Sequence, residues 1–452
     1  MSMKNIKQYE DGYLNKMPIF QYILLSLLFS LWAAAASLND ILITQFKSVF
    51  NLSDFASSFI QSAFYGGYFL IAIPAAMVIK KTSYKVAILI GLTFYSVGCF
   101  LFYPSSHMAT YSMFLFAIFV LAIGLSFLET SANTYSSMIG PKEKATLRLN
   151  ISQTFHPIGA ITGVLLGKYL IFQDGESLQS QMSKMSNVEA KKFGESVLQH
   201  TLEPYKYLIM ILLIMLVLFA ITKFPKCKPK KAEGGLQGKV SMLETLKYLS
   251  HNSNFKKGIV AQFFYVGMQT TVWSFTIRLA LTLDKSINER SASTFMIYSF
   301  IAFFIGKFVA NLLINKFNET KVLFIYSIIG CCLLGYVSIT PNITSVYGAI
   351  LVSLLFGPCW PTIYAKTLDS VEEKKYTEPA GAIIVMSIIG GAVIPAIQGL
   401  VSDSLGSMQL SFIVPMICFV IVAIYFYMEM KTFKFNREMN KDEKNIFAKE
   451  TI

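Results

Sequence analysis

The chain has 452 residues, 54% of them hydrophobic and only 14% charged, and its mean hydropathy is +0.53. Soluble domains of ordinary size cannot hide that much apolar surface, so a soluble globule is excluded. The net charge of +13 gathers in short clusters between apolar runs, which marks a membrane surface; no stretch combines clustered bases with a nucleic-acid reader, so no nucleic-acid partner is expected.

Each apolar run is about 20 residues long, enough to cross roughly 30 Å of hydrocarbon as a helix. The polar start, 1–17, carries Glu10, Asp11 and Lys16 and lacks the layout of a cleaved signal peptide, so the first helix is expected to stay. The runs predict helices near 18–46, 57–79, 86–104, 108–140, 149–171 and 205–223, then 258–282, 292–315, 322–340, 343–366, 380–402 and 408–429. Between the two sets lies 224–257, where KFPKCKPKKAEGG introduces prolines, glycines and lysines and reads as a solvated linker. An all-α membrane protein of twelve transmembrane helices follows, with six-helix halves at 18–223 and 258–429 and a tail at 430–452.

Orientation follows from the basic residues. Lys80, Lys81 and Lys85, then Lys142, Lys144 and Arg148, the lysine-rich linker and the tail all fall at one end. The other end carries few, among them Lys47, Lys285 and Arg290. Both termini are therefore expected in the cytoplasm. The long polar excursion at the other end, 172–204, contains MSKMSNVEAKKFGESV, read as a short surface helix. The six cysteines lie in apolar runs, except Cys227 in the linker, and read as packed thiols.

A weak repeat relates the halves: IGAITGVLLG at 158–167 answers GGAVIPAIQG at 390–399. Six plus six helices with a site between the halves is the arrangement of the major facilitator fold.

Ionisable groups inside the spans need a reason, because a charge at the bilayer centre costs about 2.5–3.5 kcal/mol on insertion scales. Glu129 lies about 20 Å along its helix from Lys142 by the 1.5 Å rise per residue, too deep to snorkel. Asp40 stands in the far half of the first helix, within the run LND. Withdrawal from water favours the neutral form of a carboxylate, so each acid is a candidate for carrying a proton. Asn133 shares a helix face with Glu129, Gln153 pairs with His156, and Gln269 sets an amide one turn from Trp273. Amides beside an aromatic plane suit the hydroxyls and apolar faces of a sugar, although such pairs also serve as glue between helices. His156 fits either a proton or hydroxyl role or a neutral contact within the bundle. Arg278, Lys168 and Lys307 are expected to snorkel, and Trp32 and Trp360 suit packing as well as binding.

No phosphate loop, metal-spaced Cys or His pair or nucleophile elbow is present, so no enzyme, cofactor or metal site is expected. Transport then runs on an ion gradient or downhill.

Nearly the whole chain resembles the bacterial L-fucose permeases, the fucose:proton symporter branch of the major facilitator superfamily. The resemblance rests on SLNDIL at 37–42, IQSAFYGGYFLIAIPA at 60–75, FLETSANT at 127–134, LRLNISQTF at 147–155, AQFFYVGMQTTVWSFTIR at 261–278 and IVMSIIGGAVIPAIQGLVSD at 384–403. It implies proton-coupled import of a hexose by alternating access, in the cytoplasmic membrane of a bacterium. It places the two essential carboxylates on Asp40 and Glu129; from the side-chain chemistry, sugar contacts are expected at Asn39, Asn133, Gln153, His156, Gln269 and Trp273. The chain departs from the pattern at Ala36, Ser37 and His156, where the resembling permeases usually carry asparagines. Other sugar symporters of that wider group take glucose, galactose or mannose, some with sodium, and a sensor on the same fold would bind without transport. Sugar, H⁺ and lipid are the expected partners, and the chain is expected to work as a monomer.

Overall fold

The computed structural model describes residues 6–108, 110–228, 242–314 and 316–450. The lysine- and glycine-rich centre of the expected linker, 229–241, therefore lies outside the described residues, as do the first five residues and the last two. The first half contains α1 (Ile19–Val49), α2 (Asp54–Lys81), α3 (Tyr84–Met108), α4 (Tyr111–Met138), α5 (Ala145–Gln153), α6 (Phe155–Leu170), α7 (Leu178–Ser183), α8 (Asn187–His200) and α9 (Glu203–Ile221). The second contains α10 (Met242–His251), α11 (Ser253–Leu283), α12 (Glu289–Ile314), α13 (Glu319–Ile339), α14 (Thr344–Leu354), α15 (Cys359–Asp369), α16 (Lys374–Met386), α17 (Gly390–Leu405) and α18 (Ile413–Glu450).

A helix or a helix pair stands at each position read from the apolar runs. Nine helical stretches among the described residues are long and apolar enough to cross a membrane, ten if α14 and α15, bent by 41°, form one span. The remaining positions fall short for visible reasons. The α5–α6 span is interrupted at Thr154, and α11 carries Lys256, Lys257, Gln262, Gln269 and Arg278. In the second half a short 3₁₀ stretch, Ser387–Ile389, joins α16 to α17 within one continuous span, Pro379–Leu405.

The excursion 172–204 forms two helices, α7 and α8. Ser186 accepts the N–H of Glu189 and the Glu189 side chain accepts the N–H of Ser186, a capping box written in SNVE. Inside the bundle, α3 and α4 pack backbone to backbone: a Cβ on Gly124 would lie 2.3 Å from the Tyr95 nitrogen. Outward, large apolar side chains stay exposed, among them Phe100, Ile221 and Phe308, as a lipid-facing surface requires. All six cysteines are free; Cys332 is exposed and the others are buried or half-buried.

Candidate functional site

A cavity of about 190 Å³ opens between the halves. The first half lines it from α1 (Trp32, Ala36, Ser37, Asp40), α2 (Tyr65, Tyr68), α4 (Glu129, Asn133), Gln153 and His156. The second half contributes Gln269 and Trp273 of α11, Lys307 of α12 and Trp360 of α15. Seven of the eight residues singled out by depth or resemblance thus meet around one space.

The two acids are held differently. Asp40 is 8% exposed and accepts a 2.5 Å hydrogen bond from Gln61 Nε2, and Gln61 Oε1 in turn accepts from Asn39 Nδ2 at 3.1 Å. Asn39 is the residue that does not line the cavity: its side chain turns toward α2 and donates to Gln61, which in turn donates to Asp40. The Tyr68 hydroxyl faces the Glu129 carboxylate. Asn133 donates to the Glu129 backbone carbonyl at 3.0 Å, and Gln153 Nε2 lies 3.5 Å from Asn133 Oδ1, chaining α4 to α5.

The aromatic wall is fixed by packing. Trp273 meets Phe300, Phe303 and Phe356 edge to face, with centroids 5.0, 5.2 and 5.5 Å away, and its indole N–H donates to Ser353 Oγ at 3.1 Å. Trp32 and Trp360 also line the cavity, so the three tryptophans of the chain all face it.

At the end that carries the 172–204 excursion, polar bonds join the halves and close the space. Asp54 forms ion pairs with Lys47 and, at 3.5 Å, with Arg278. Arg278 Nη1 also donates to Ser57 Oγ at 2.9 Å, and Ser402 Oγ donates to Asp54 Oδ2 at 2.8 Å. Asp403 accepts the N–H groups of Asp54 and Phe55 at the start of α2. Nearby, Lys168 donates to Thr294 Oγ1 at 2.8 Å, and Glu289 accepts the N–H of Leu178 at 2.9 Å. Glycine lets the backbones approach there: a Cβ on Gly399 would lie 2.6 Å from the Asp54 carbonyl.

The expectation of snorkelling is corrected on all three basic residues. Arg278 is 3% exposed and paired across the halves, Lys168 reaches the opposite half, and Lys307 points into the cavity. Distance from a helix end sets depth but not rotation, so it cannot tell a lipid-facing lysine from an inward one. Sequence reasoning also missed Gln61, Tyr68, Asp54 and Asp403. Gln61 carried a signal, being a lone amide in an apolar helix; the others sit where polar residues are ordinary.

A family model described as Major Facilitator Superfamily matches residues 22–383 and, overlapping, 263–449. The chain is 34% identical to the L-fucose-proton symporter of Escherichia coli (strain K12), over 92% of this chain and 94% of that one. The chain belongs to the L-fucose permease family of the major facilitator superfamily. It is also 29% identical to a glucose/galactose transporter of Brucella abortus, over 89% of this chain and 92% of that one. Among solved structures it is similar to FucP in the outward conformation, with a TM-score of 0.68, 35% identity and coverage of 91% of this chain and 98% of that one. These relatives are transporters, and the fold is a multi-pass membrane fold.

Proposed function

We propose that the protein is a secondary active transporter that imports L-fucose or a related hexose with protons by alternating access. The observation that carries the reading is one cavity between the halves that holds two acids inside a membrane fold. Glu129 takes up and releases the proton in step with sugar, and Asp40, braced by Gln61 and Asn39, couples that charge to closure at the far end. Asn133, Gln153, His156, Gln269 and Trp273 contact the sugar.

The halves are 18–223 and 258–429, and the protein works as a monomer in the cytoplasmic membrane of a bacterium. The terminus 1–17, the linker 224–257 and the tail 430–452 lie in the cytoplasm, a placement supported by the basic residues at that end. The Asp54–Arg278–Asp403 cluster is then the outer gate, shut in this conformation. Names of relatives support proton-coupled L-fucose symport first and glucose or galactose transport second.

Purified protein in liposomes tests this. An inwardly directed proton gradient is expected to drive accumulation of labelled L-fucose, galactose or glucose, and no stimulation of any of them would overturn the proposal. Substituting a sodium gradient distinguishes the coupling ion.

A further inference from the structure

Lys307 has no hydrogen-bond or ion-pair partner among the described residues, yet it lines the central cavity. Its Nζ rests over the Phe303 ring, 5.0 Å from the centroid, and Phe303 also lines the space. An ammonium withdrawn from bulk water is costly unless an anion meets it. No acid among the described residues forms an ion pair with it: Asp40 is engaged by Gln61, and Glu129 faces Tyr68.

The neutral donors nearby are few. Ala36 and Ser37 offer no amide, and Ser37 Oγ donates back to the carbonyls of Ala33 and Ala34. Asn133 and Gln153 direct their amide hydrogens at neighbours within the first half. Among the described residues, Gln269 is the cavity amide left without a hydrogen-bond partner, and Lys307 is the cavity cation left without an anion beside it.

We propose that Lys307 binds the carboxylate of a sugar acid, so that the preferred substrate is a hexuronate carried with one proton. The inference rests on the transport reading above and narrows its substrate class. The charge count favours it, taking His156 as the neutral imidazole. An empty carrier with Lys307 charged and one of Asp40 and Glu129 ionised is neutral. Adding a neutral hexose and one proton leaves a net positive charge in a space that must close within the bilayer. Adding a monoanionic hexuronate and one proton leaves it neutral, with both carboxyls protonated and the carboxylate of the substrate against Lys307. Crossing a low-dielectric core favours the neutral assembly, and the overall step, one anion with one proton, moves no net charge.

The test uses the full-length protein in liposomes with labelled D-galacturonate, D-galactose and L-fucose under an inward proton gradient, with and without an inside-negative potassium diffusion potential. Galacturonate is expected to accumulate at a rate unchanged by the potential, and to outcompete galactose at least tenfold. K307M is expected to lower the ratio of galacturonate to galactose kcat/KM at least tenfold, and K307R to restore most of it. Accumulation of galactose or L-fucose with no entry or competition by galacturonate overturns the sugar-acid inference and leaves the transport reading standing. An unchanged ratio in K307M overturns the role of Lys307. Failure of all three sugars to enter defeats the transport reading itself, and the inference with it.

Discussion

The Asp403 carboxylate of α17 accepts the backbone N–H of Asp54 at 2.9 Å, so an acid of one half caps the first turn of α2 in the other. Such a cap is worth about 1 kcal/mol. Asp403→Ala is therefore expected to loosen the closed end and raise the population open there by roughly fivefold. Ser62, whose hydroxyl donates to the Ala392 carbonyl across the halves, is the reporter. A cysteine placed there should react faster with an impermeant maleimide in the Asp403→Ala background, and an equal rate would deny the gate.

Gly399 provides an independent probe of the same closure. Its missing Cβ makes room for the Asp54 carbonyl and Ser58 Oγ, and a buried methyl forced into a close backbone contact costs about 1–3 kcal/mol. Gly399→Ala is expected to push the ends of α2 and α17 apart. Spin labels on the exposed positions Phe59 and Leu400 should show a longer distance population than in the parent.

Gln61 is the brace of Asp40. Leaving a buried hydrogen-bonding group unpaired costs about 1–3 kcal/mol, so Gln61→Leu is expected to slow gradient-driven uptake about tenfold or more. The same change should leave the thermal stability in detergent within a few degrees. Wild-type uptake rates in this variant would show that Asp40 acts without it.

Because Trp32, Trp273 and Trp360 all line the cavity, a transported sugar is expected to change the intrinsic fluorescence saturably. Trp273→Phe, which removes the donor to Ser353 but keeps an aromatic face, should weaken binding severalfold and reduce the signal. A sugar that is transported but leaves emission unchanged would place its path away from these rings.

Much of this was legible along the chain. Apolar runs fixed the positions of the spans, because a helix crossing lipid has few alternatives. Asp40 and Glu129 stood out because carboxylates in hydrocarbon are rare and costly. Their partners did not stand out: that Gln61 faces Asp40 and Tyr68 faces Glu129 depends on how α2 rotates against α1 and α4, which hydropathy leaves free. Asn39 shows the same limit, since it adjoins Asp40 in sequence and bonds the same Gln61, yet only Asp40 lines the cavity. The gate was hidden for a different reason. Asp54, Arg278 and Asp403 are remote in sequence, and each lies near a helix end where a charge is unremarkable, so only the meeting of the two halves reveals them.

The most direct test of the central claim is sugar accumulation by Glu129→Gln protein in liposomes under an inward proton gradient. The account predicts accumulation no higher than without a gradient, while exchange of labelled for unlabelled sugar continues through the intact cavity. Accumulation equal to that of the parent would contradict proton coupling through Glu129.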